Sequence, residues 1–230
     1  MPSNKGFENL VSTIKEWKEK INKILAIDLN SFSKPITKEL KEDIENLVLG
    51  KIKSAKDKGD LLEQVIRNLF ETLDMAISFK ITHKKTSFGQ FDFIIDFIFT
   101  EEIENILSGI TNIEVLKKGI NGECKNYKEK VGKELIEQSC WRVCKTKKSL
   151  FYVASKYTTG AIDEINFFNS HHFGDFDNIC CNKNDKLSII PLDFNLLRVC
   201  TLEEIRFSTV VFFTIKQAKE GRINNILNLK

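Results

Sequence analysis

Apolar residues recur at intervals of three and four along the first 58 residues, and this spacing predicts two amphipathic helices. The first covers residues 5–26. The second starts at Pro35 and continues through a lysine-rich stretch that ends near Gly59. We expect the two to form a helical hairpin, and we assign residues 1–58 to an N-terminal helical region.

Residues 59–230 show a different pattern, in which short apolar runs alternate with segments of helical spacing. A third helix is predicted from Asp60, as its N-cap, to Leu73. Further helices are predicted at 101–107, 133–144, 160–169, 195–205 and 207–229, although Val210 to Thr214 has a strand-like composition. Strands are predicted at 77–81, 91–99, 117–125, 150–155 and 186–192. This alternation predicts an α/β domain with a central mixed β-sheet flanked by helices.

The composition is that of a globular protein, and the net charge says little about its partners. Hydrophobic residues make up 42% and charged residues 29%, which is enough to bury a core. Lys and Arg number 35 against 32 Asp and Glu, a net charge of +3 that is too small to identify a nucleic-acid binder. Of the basic clusters, the one at 125–133 adjoins the candidate site described below.

Cysteine usage and the N-terminal residues predict an intracellular, cytoplasmic protein. The six cysteines include no Cys-x-x-Cys pair, and residues 1–5 carry no apolar signal region. The apolar runs are too short to cross a bilayer, so no membrane partner is expected. His171-His172 and Cys180-Cys181 share a polar loop, but adjacent ligands do not have the spacing of a tetrahedral zinc site.

Glu123 and Lys125 are the first candidates for chemistry. Side chains alternate along a strand, so these two residues lie on one face and Cys124 on the other. A carboxylate beside an ammonium can hold a hard divalent cation and a reacting phosphate, provided that a neighbouring strand supplies another carboxylate.

The strand predicted at 91–99 supplies two such carboxylates. Its alternation places Asp92 and Asp96 on one face, and Phe91 and Phe93 on the other. An acid within so apolar a strand is costly unless it is paired or binds a metal, so at least one of the two aspartates is expected to be functional.

The segment Gly122-Glu123-Cys124-Lys125-Asn126-Tyr127, in this order of elements, resembles the PD-(D/E)xK nuclease superfamily and is most similar to Mrr-type restriction endonucleases. The resemblance extends over about residues 59–201 and implies a restriction-endonuclease-like core. Gly89-Gln90-Phe91-Asp92 matches the turn that precedes the family's metal-binding aspartate, with Asp96 as the alternative. The resemblance therefore implies Asp92 and Glu123 as metal ligands.

Three further residues take roles from the same resemblance. Lys125 would contact the scissile phosphate or the attacking water, and Gln138 matches a glutamine that faces the site from the following helix. Glu63 matches an acid near the start of an earlier helix that leans toward the metal. Glu63 also stands three residues after Asp60, where a capping box would use it, and both interpretations stay open.

The function implied by the resemblance is metal-dependent hydrolysis of DNA phosphodiesters by an endonuclease of restriction or defence. Mg²⁺ is the implied cofactor, with Mn²⁺ as a substitute, and DNA is the implied partner. A homodimer or an additional subunit stays open. The alternatives are a catalytically silent nucleic-acid-binding or assembly subunit and a junction-cleaving repair nuclease on the same scaffold.

Overall fold

The computed structural model describes residues 5–73, 84–86, 89–110, 113–125, 130–170 and 187–227. The helices are α1 (Lys5–Leu25), a 3₁₀ turn η1 (Leu29–Phe32), α2 (Lys38–Val48), α3 (Ala55–Glu71), α4 (Glu101–Ile110), α5 (Ile113–Lys117), α6 (Lys133–Thr146), α7 (Thr159–Ser170), α8 (Phe194–Val199), α9 (Phe207–Lys219) and α10 (Asn224–Leu227). The strands are β1 (Lys84–Thr86), β2 (Gly89–Phe91), β3 (Phe93–Ile95), β4 (Ile120–Lys125), β5 (Ser149–Ala154) and β6 (Ile189–Asp193).

A four-stranded mixed sheet forms the centre of the fold, in the order β3-β4-β5-β6. β3 is antiparallel to β4, with Phe93 opposite Gly122, whereas β4, β5 and β6 are parallel. β1 and β2 form a separate antiparallel pair. The predicted α/β class with a mixed sheet flanked by helices is confirmed.

Helices cover both faces of this sheet. On one face α6 and α7 pack together, as expected for the crossovers that join successive parallel strands. On the other face Phe70 of α3 contacts the rings of Phe93, Phe151 and Phe207, which belong to β3, β5 and α9. The residues of one hydrophobic core, drawn from α1 through α10, fill the space between these layers.

The predicted helical hairpin is wrong. The second helix ends at Val48 instead of near Gly59, because Gly50 takes a positive φ of 64° that a helix cannot continue through. α1 packs mainly on α9 and η1, whereas α2 packs on α3 and α8. Each apolar face is therefore buried against a later part of the chain.

The third helix begins earlier than predicted. α3 starts at Ala55, and the Ser54 hydroxyl caps it by accepting from the Asp57 N–H at 3.3 Å. Asp60 lies inside the helix, so the capping-box interpretation of Glu63 is wrong. The predicted boundary between residues 58 and 59 falls within this helix.

The strand predicted at 91–99 is interrupted at Asp92. β2 ends at Phe91 and β3 starts at Phe93, with a bend between them. The bend reverses the alternation, so Phe91 lies against Arg142 of α6, and Phe93 lies against Phe70 of α3. The prediction that Phe91 and Phe93 share a face is therefore wrong.

Most later elements match their predictions. α4, α6, α7, β5 and β6 lie close to their predicted positions, and α9 takes residues 210–214 into a helix. β4 begins only at Ile120, after the short helix α5, and the helix predicted at 207–229 is divided into α9 and α10. α8 is shorter than the predicted 195–205 because the chain turns after Val199. The strand predicted at 77–81 and the His-His and Cys-Cys pairs lie outside the described residues. Within the described part of the chain, no helix is both long and apolar enough for a membrane span.

Candidate acidic site at the edge of the sheet

Glu123 is a buried carboxylate held by two cations. It lies near the end of β4, and only 6% of its side chain is exposed. Lys125 Nζ lies 2.5 Å from Glu123 Oε1, and Arg142 Nη1 donates to Oε2 at 2.9 Å. Removing a carboxylate from water is costly unless it is paired and hydrogen-bonded, and these two contacts satisfy that requirement.

Arg142 connects α6 to this site. Its guanidinium carbon lies 4.2 Å from the centre of the Phe91 ring, while its edge bonds Glu123. Arg142 and Glu123 therefore fix α6 against the strand that carries Glu123 and Lys125. Asn121 donates to the Thr146 hydroxyl at 3.1 Å and makes a second contact between β4 and α6.

Asp92 lies at the bend beside β4. Its N–H donates to the Gly122 carbonyl at 2.9 Å, and its Oδ2 accepts from the Cys124 N–H at 2.6 Å. The carboxylate thus takes the place of a strand carbonyl at the end of the β3–β4 ladder.

Glu63 and Asp92 line the same cleft. The cleft has a volume of about 360 Å³. It is bounded by one face of α3 and by the bend, with the lining residues Asp60, Glu63, Gln64, Arg67, Asn68, Asp92 and Phe93. Glu63 therefore comes to Asp92 from the α3 side of the sheet, whereas Arg142 comes to Glu123 from the α6 side.

The carboxylates of this site affect the pKa of the Cys124 thiol. Burial raises its pKa well above the usual value of 9.0, and the carboxylates of Asp92, Glu63 and Glu123 raise it further, against an opposing effect of Lys125. The thiol is therefore protonated near neutral pH, and Cys124 is not suited to act as a thiolate nucleophile.

Two further candidates from the sequence lie outside the group formed by Glu63, Asp92, Glu123, Lys125 and Arg142. Gln138 is exposed on α6, one turn before Arg142 on the same helix face. Asp96 is 60% exposed and pairs with Lys148 at 3.0 Å. Of the two aspartates in the segment 91–99, Asp92 is the one that contacts β4 next to Glu123.

Arg142 was missed by sequence reasoning as a functional candidate. Helical spacing contained the information, because residues four apart share a helix face and Gln138 was already expected to face the site. What the sequence did not contain was the bend at Asp92, which turns the Phe91 ring toward α6 and places it under the guanidinium.

The donor set suits a hard divalent cation. Within the described residues, no three Asp, Glu, His or Cys side chains form a ready metal cage. Mg²⁺ rarely uses such a cage, since it commonly binds through one or two carboxylates, water and substrate phosphate. Asp92 and Glu123 are the two carboxylates that would hold it, and Glu123 would then exchange one of its cations for the metal.

Comparisons with known proteins identified no relative of the chain. No protein-family model, curated protein sequence or solved structure gave a significant match to the chain.

Proposed function

We propose that the chain is a Mg²⁺-dependent endonuclease that hydrolyses DNA phosphodiester bonds, with a role in restriction or defence. The observation that carries the proposal is the pairing of a buried Glu123 with Lys125, at 2.5 Å, beside an aspartate at the edge of the adjacent strand. Two carboxylates can hold a divalent cation and an amine can contact the phosphate, which together can support phosphodiester hydrolysis.

Each residue has a distinct task in this proposal. When bound, Mg²⁺ polarises a phosphate oxygen and lowers the pKa of a coordinated water. Asp92 and Glu123 hold the ion. Lys125 is the last residue of β4. Its ammonium neutralises charge that develops on the phosphate. Glu63 adds negative charge on the cleft side, and Gln138 is available on α6 to orient DNA or water.

Cleavage assays with Mg²⁺ test the proposal directly. Purified wild-type protein is incubated with supercoiled plasmid and with branched DNA, and a parallel reaction contains EDTA. We expect nicked or linear plasmid only where Mg²⁺ is present. Cleavage of branched DNA alone would favour the junction-cleaving alternative, and an absence of cleavage in every reaction would contradict the nuclease proposal.

A catalytically silent subunit is the second candidate, and one observation favours it. Both carboxylate oxygens of Glu123 contact cations of the chain itself, which is also how a structural ion-pair network is built. In that case Asp92→Ala and Glu123→Ala would alter stability or DNA binding, and wild-type protein would cleave neither substrate.

A further inference from the structure

The Glu123 carboxylate already contacts two cations of the chain, so a metal that binds it competes with them. Lys125 contacts Oε1 of Glu123 and Arg142 contacts Oε2, and only 6% of the Glu123 side chain is exposed. A metal that approaches Glu123 meets the positive charge of both groups in an enclosed space, so metal binding there favours displacement of one of the two. This competition makes the displaced residue part of the site.

Arg142 is better suited to displacement than Lys125. Lys125 belongs to the same strand as Glu123, and its ammonium makes the shorter contact. Arg142 comes from α6, a separate element, and its contact with Glu123 is the longer of the two, 2.9 Å against 2.5 Å. Its guanidinium carbon lies over the Phe91 ring, and its Nη1 donates to the Glu123 carboxylate.

The same donors match a phosphate. A planar guanidinium presents parallel N–H groups that bind carboxylate and phosphate oxygens with similar geometry. An aromatic ring beneath it keeps the plane in place while the anion at its edge changes.

We propose that Arg142 holds the Glu123 carboxylate before the metal binds and contacts a DNA phosphate once the metal has replaced it there. This inference rests on the proposed nuclease function and adds a substrate-contacting residue to it. Phe91 is the support that keeps the guanidinium at the sheet edge during the exchange.

Arg198 provides a matched control. Its guanidinium carbon lies 4.6 Å from the centre of the Phe7 ring, and its Nε lies 3.4 Å from Glu45 Oε1. Arg142→Gln and Arg198→Gln therefore remove the same charge and the same kinds of contact from two regions.

Calorimetric titration with Mn²⁺ alone measures the first half of the proposal. Arg142→Gln removes a competitor for Glu123, so we expect it to bind Mn²⁺ about three- to tenfold more tightly than wild type. Arg198→Gln should bind Mn²⁺ as wild type does. Unchanged or weaker Mn²⁺ binding by folded Arg142→Gln overturns the proposal.

Salt dependence of DNA binding measures the second half. A phosphorothioate duplex that resists hydrolysis is titrated with protein in Mg²⁺ over a range of NaCl concentrations. Loss of one phosphate contact should lower the slope of log K against log salt by about 0.9 in Arg142→Gln relative to Arg198→Gln. Equal slopes for the two variants overturn the phosphate contact.

Arg142→Lys separates charge from the planar group and covers the case in which Arg142→Gln does not fold. It should keep the wild-type slope and bind Mn²⁺ less tightly than Arg142→Gln; a slope lowered by about 0.9 would contradict the proposal. Wild-type protein that binds Mn²⁺ and duplex but cleaves no plasmid overturns the nuclease function alone.

Discussion

Two arginines in this protein make the same set of contacts in different regions. Arg142 stacks on Phe91 and bonds Glu123, while Arg198 stacks on Phe7 and bonds Glu45. The ring distances differ by a few tenths of an ångström, and each pair joins two elements that are distant in sequence. By contact type alone, the two regions are equivalent.

Burial separates them. The side chain of Glu45 is 34% exposed, whereas that of Glu123 is 6% exposed and contacts a second cation, Lys125. A partly exposed ion pair of this kind contributes about 0–1 kcal/mol to stability. A buried carboxylate with two cations is costly to remove from water, and loss of either cation leaves it poorly compensated. The environment of the ion pair, rather than its contacts, therefore distinguishes the candidate site from the Arg198–Glu45 region.

The largest expected difference between the two regions is in cleavage. Glu123→Gln removes the charge of the proposed metal ligand, so we expect plasmid cleavage in Mg²⁺ to fall by about a thousandfold or more. Glu45→Gln removes only the half-exposed pair and should change the rate by less than about twofold. Initial rates of plasmid nicking measure both, with circular dichroism to verify folding. Similar losses in the two variants would remove the distinction.

The second prediction compares the two aspartates beside β4. Asp92→Asn keeps an oxygen that accepts from the Cys124 N–H but loses the negative charge, so we expect cleavage to fall by about a hundredfold or more. Asp96→Asn loses its exposed pair with Lys148 and should cleave at nearly the wild-type rate. The same nicking assay applies. A large loss in Asp96→Asn with normal activity in Asp92→Asn would move the predicted metal ligand to Asp96.

Much of the fold was predictable because periodicity reflects burial. The stripes of α3 and α6 and the apolar run of β5 predicted elements that occur where expected. The helix boundaries near Gly50 and Ser54 were not predictable in the same way, because the apolar spacing continues through the break and the caps are local hydrogen bonds. The partners of α1 and α2 depend on contacts with α8 and α9, which are far along the chain.

The candidate site was predictable to a lesser degree. Strand alternation correctly places Glu123 and Lys125 together, because that rule needs only an unbroken strand. The same rule failed at Asp92, where the bend reverses the faces of Phe91 and Phe93. The contact between Arg142 and Glu123 depends on how α6 packs on β4, which the sequence pattern does not specify.

A third prediction concerns β4, the strand that carries Glu123 and Lys125. Gly122 lies under the Phe93 ring, and a Cβ there would overlap it, so Gly122→Ala should lower the free energy of unfolding by about 1–3 kcal/mol. Gly59 is inside α3, and a Cβ there would meet nothing within 4 Å. Gly59→Ala should therefore stabilise the protein by about 0.5–1 kcal/mol. Urea unfolding measures both changes. A neutral Gly122→Ala would contradict the packing described for β3 and β4.

A further prediction extends the comparison to a buried carboxylate that accepts from backbone amides. Asp193 caps α8 by accepting from the Leu196 N–H at 2.8 Å. Burial raises its pKa from 3.8 to about 7, although bonds from Leu196 and Asn195 and the charge of Lys156 act in the opposite direction.

The sign of the pH effect follows from these values. Between about pH 4 and 7 the folded protein retains a proton on Asp193 that the unfolded chain has released, so this contribution to stability is full below pH 4 and is lost as pH rises through 7. From pH 6 to 7 the loss is about 1 kcal/mol. Asp193→Asn does not titrate, so the Tm of wild type relative to this variant should fall over that interval. A constant difference would contradict the raised pKa.

The most direct test of the central claim is an anomalous difference map from crystals soaked in Mn²⁺. We predict one peak with oxygens of both Asp92 and Glu123 at about 2.0–2.2 Å, Lys125 nearby, and Arg142 moved away from Glu123. A peak bound by Glu63 and Asp92 alone, with Glu123 still paired to Lys125 and Arg142, would contradict the account, as would the absence of a peak at this edge of the sheet.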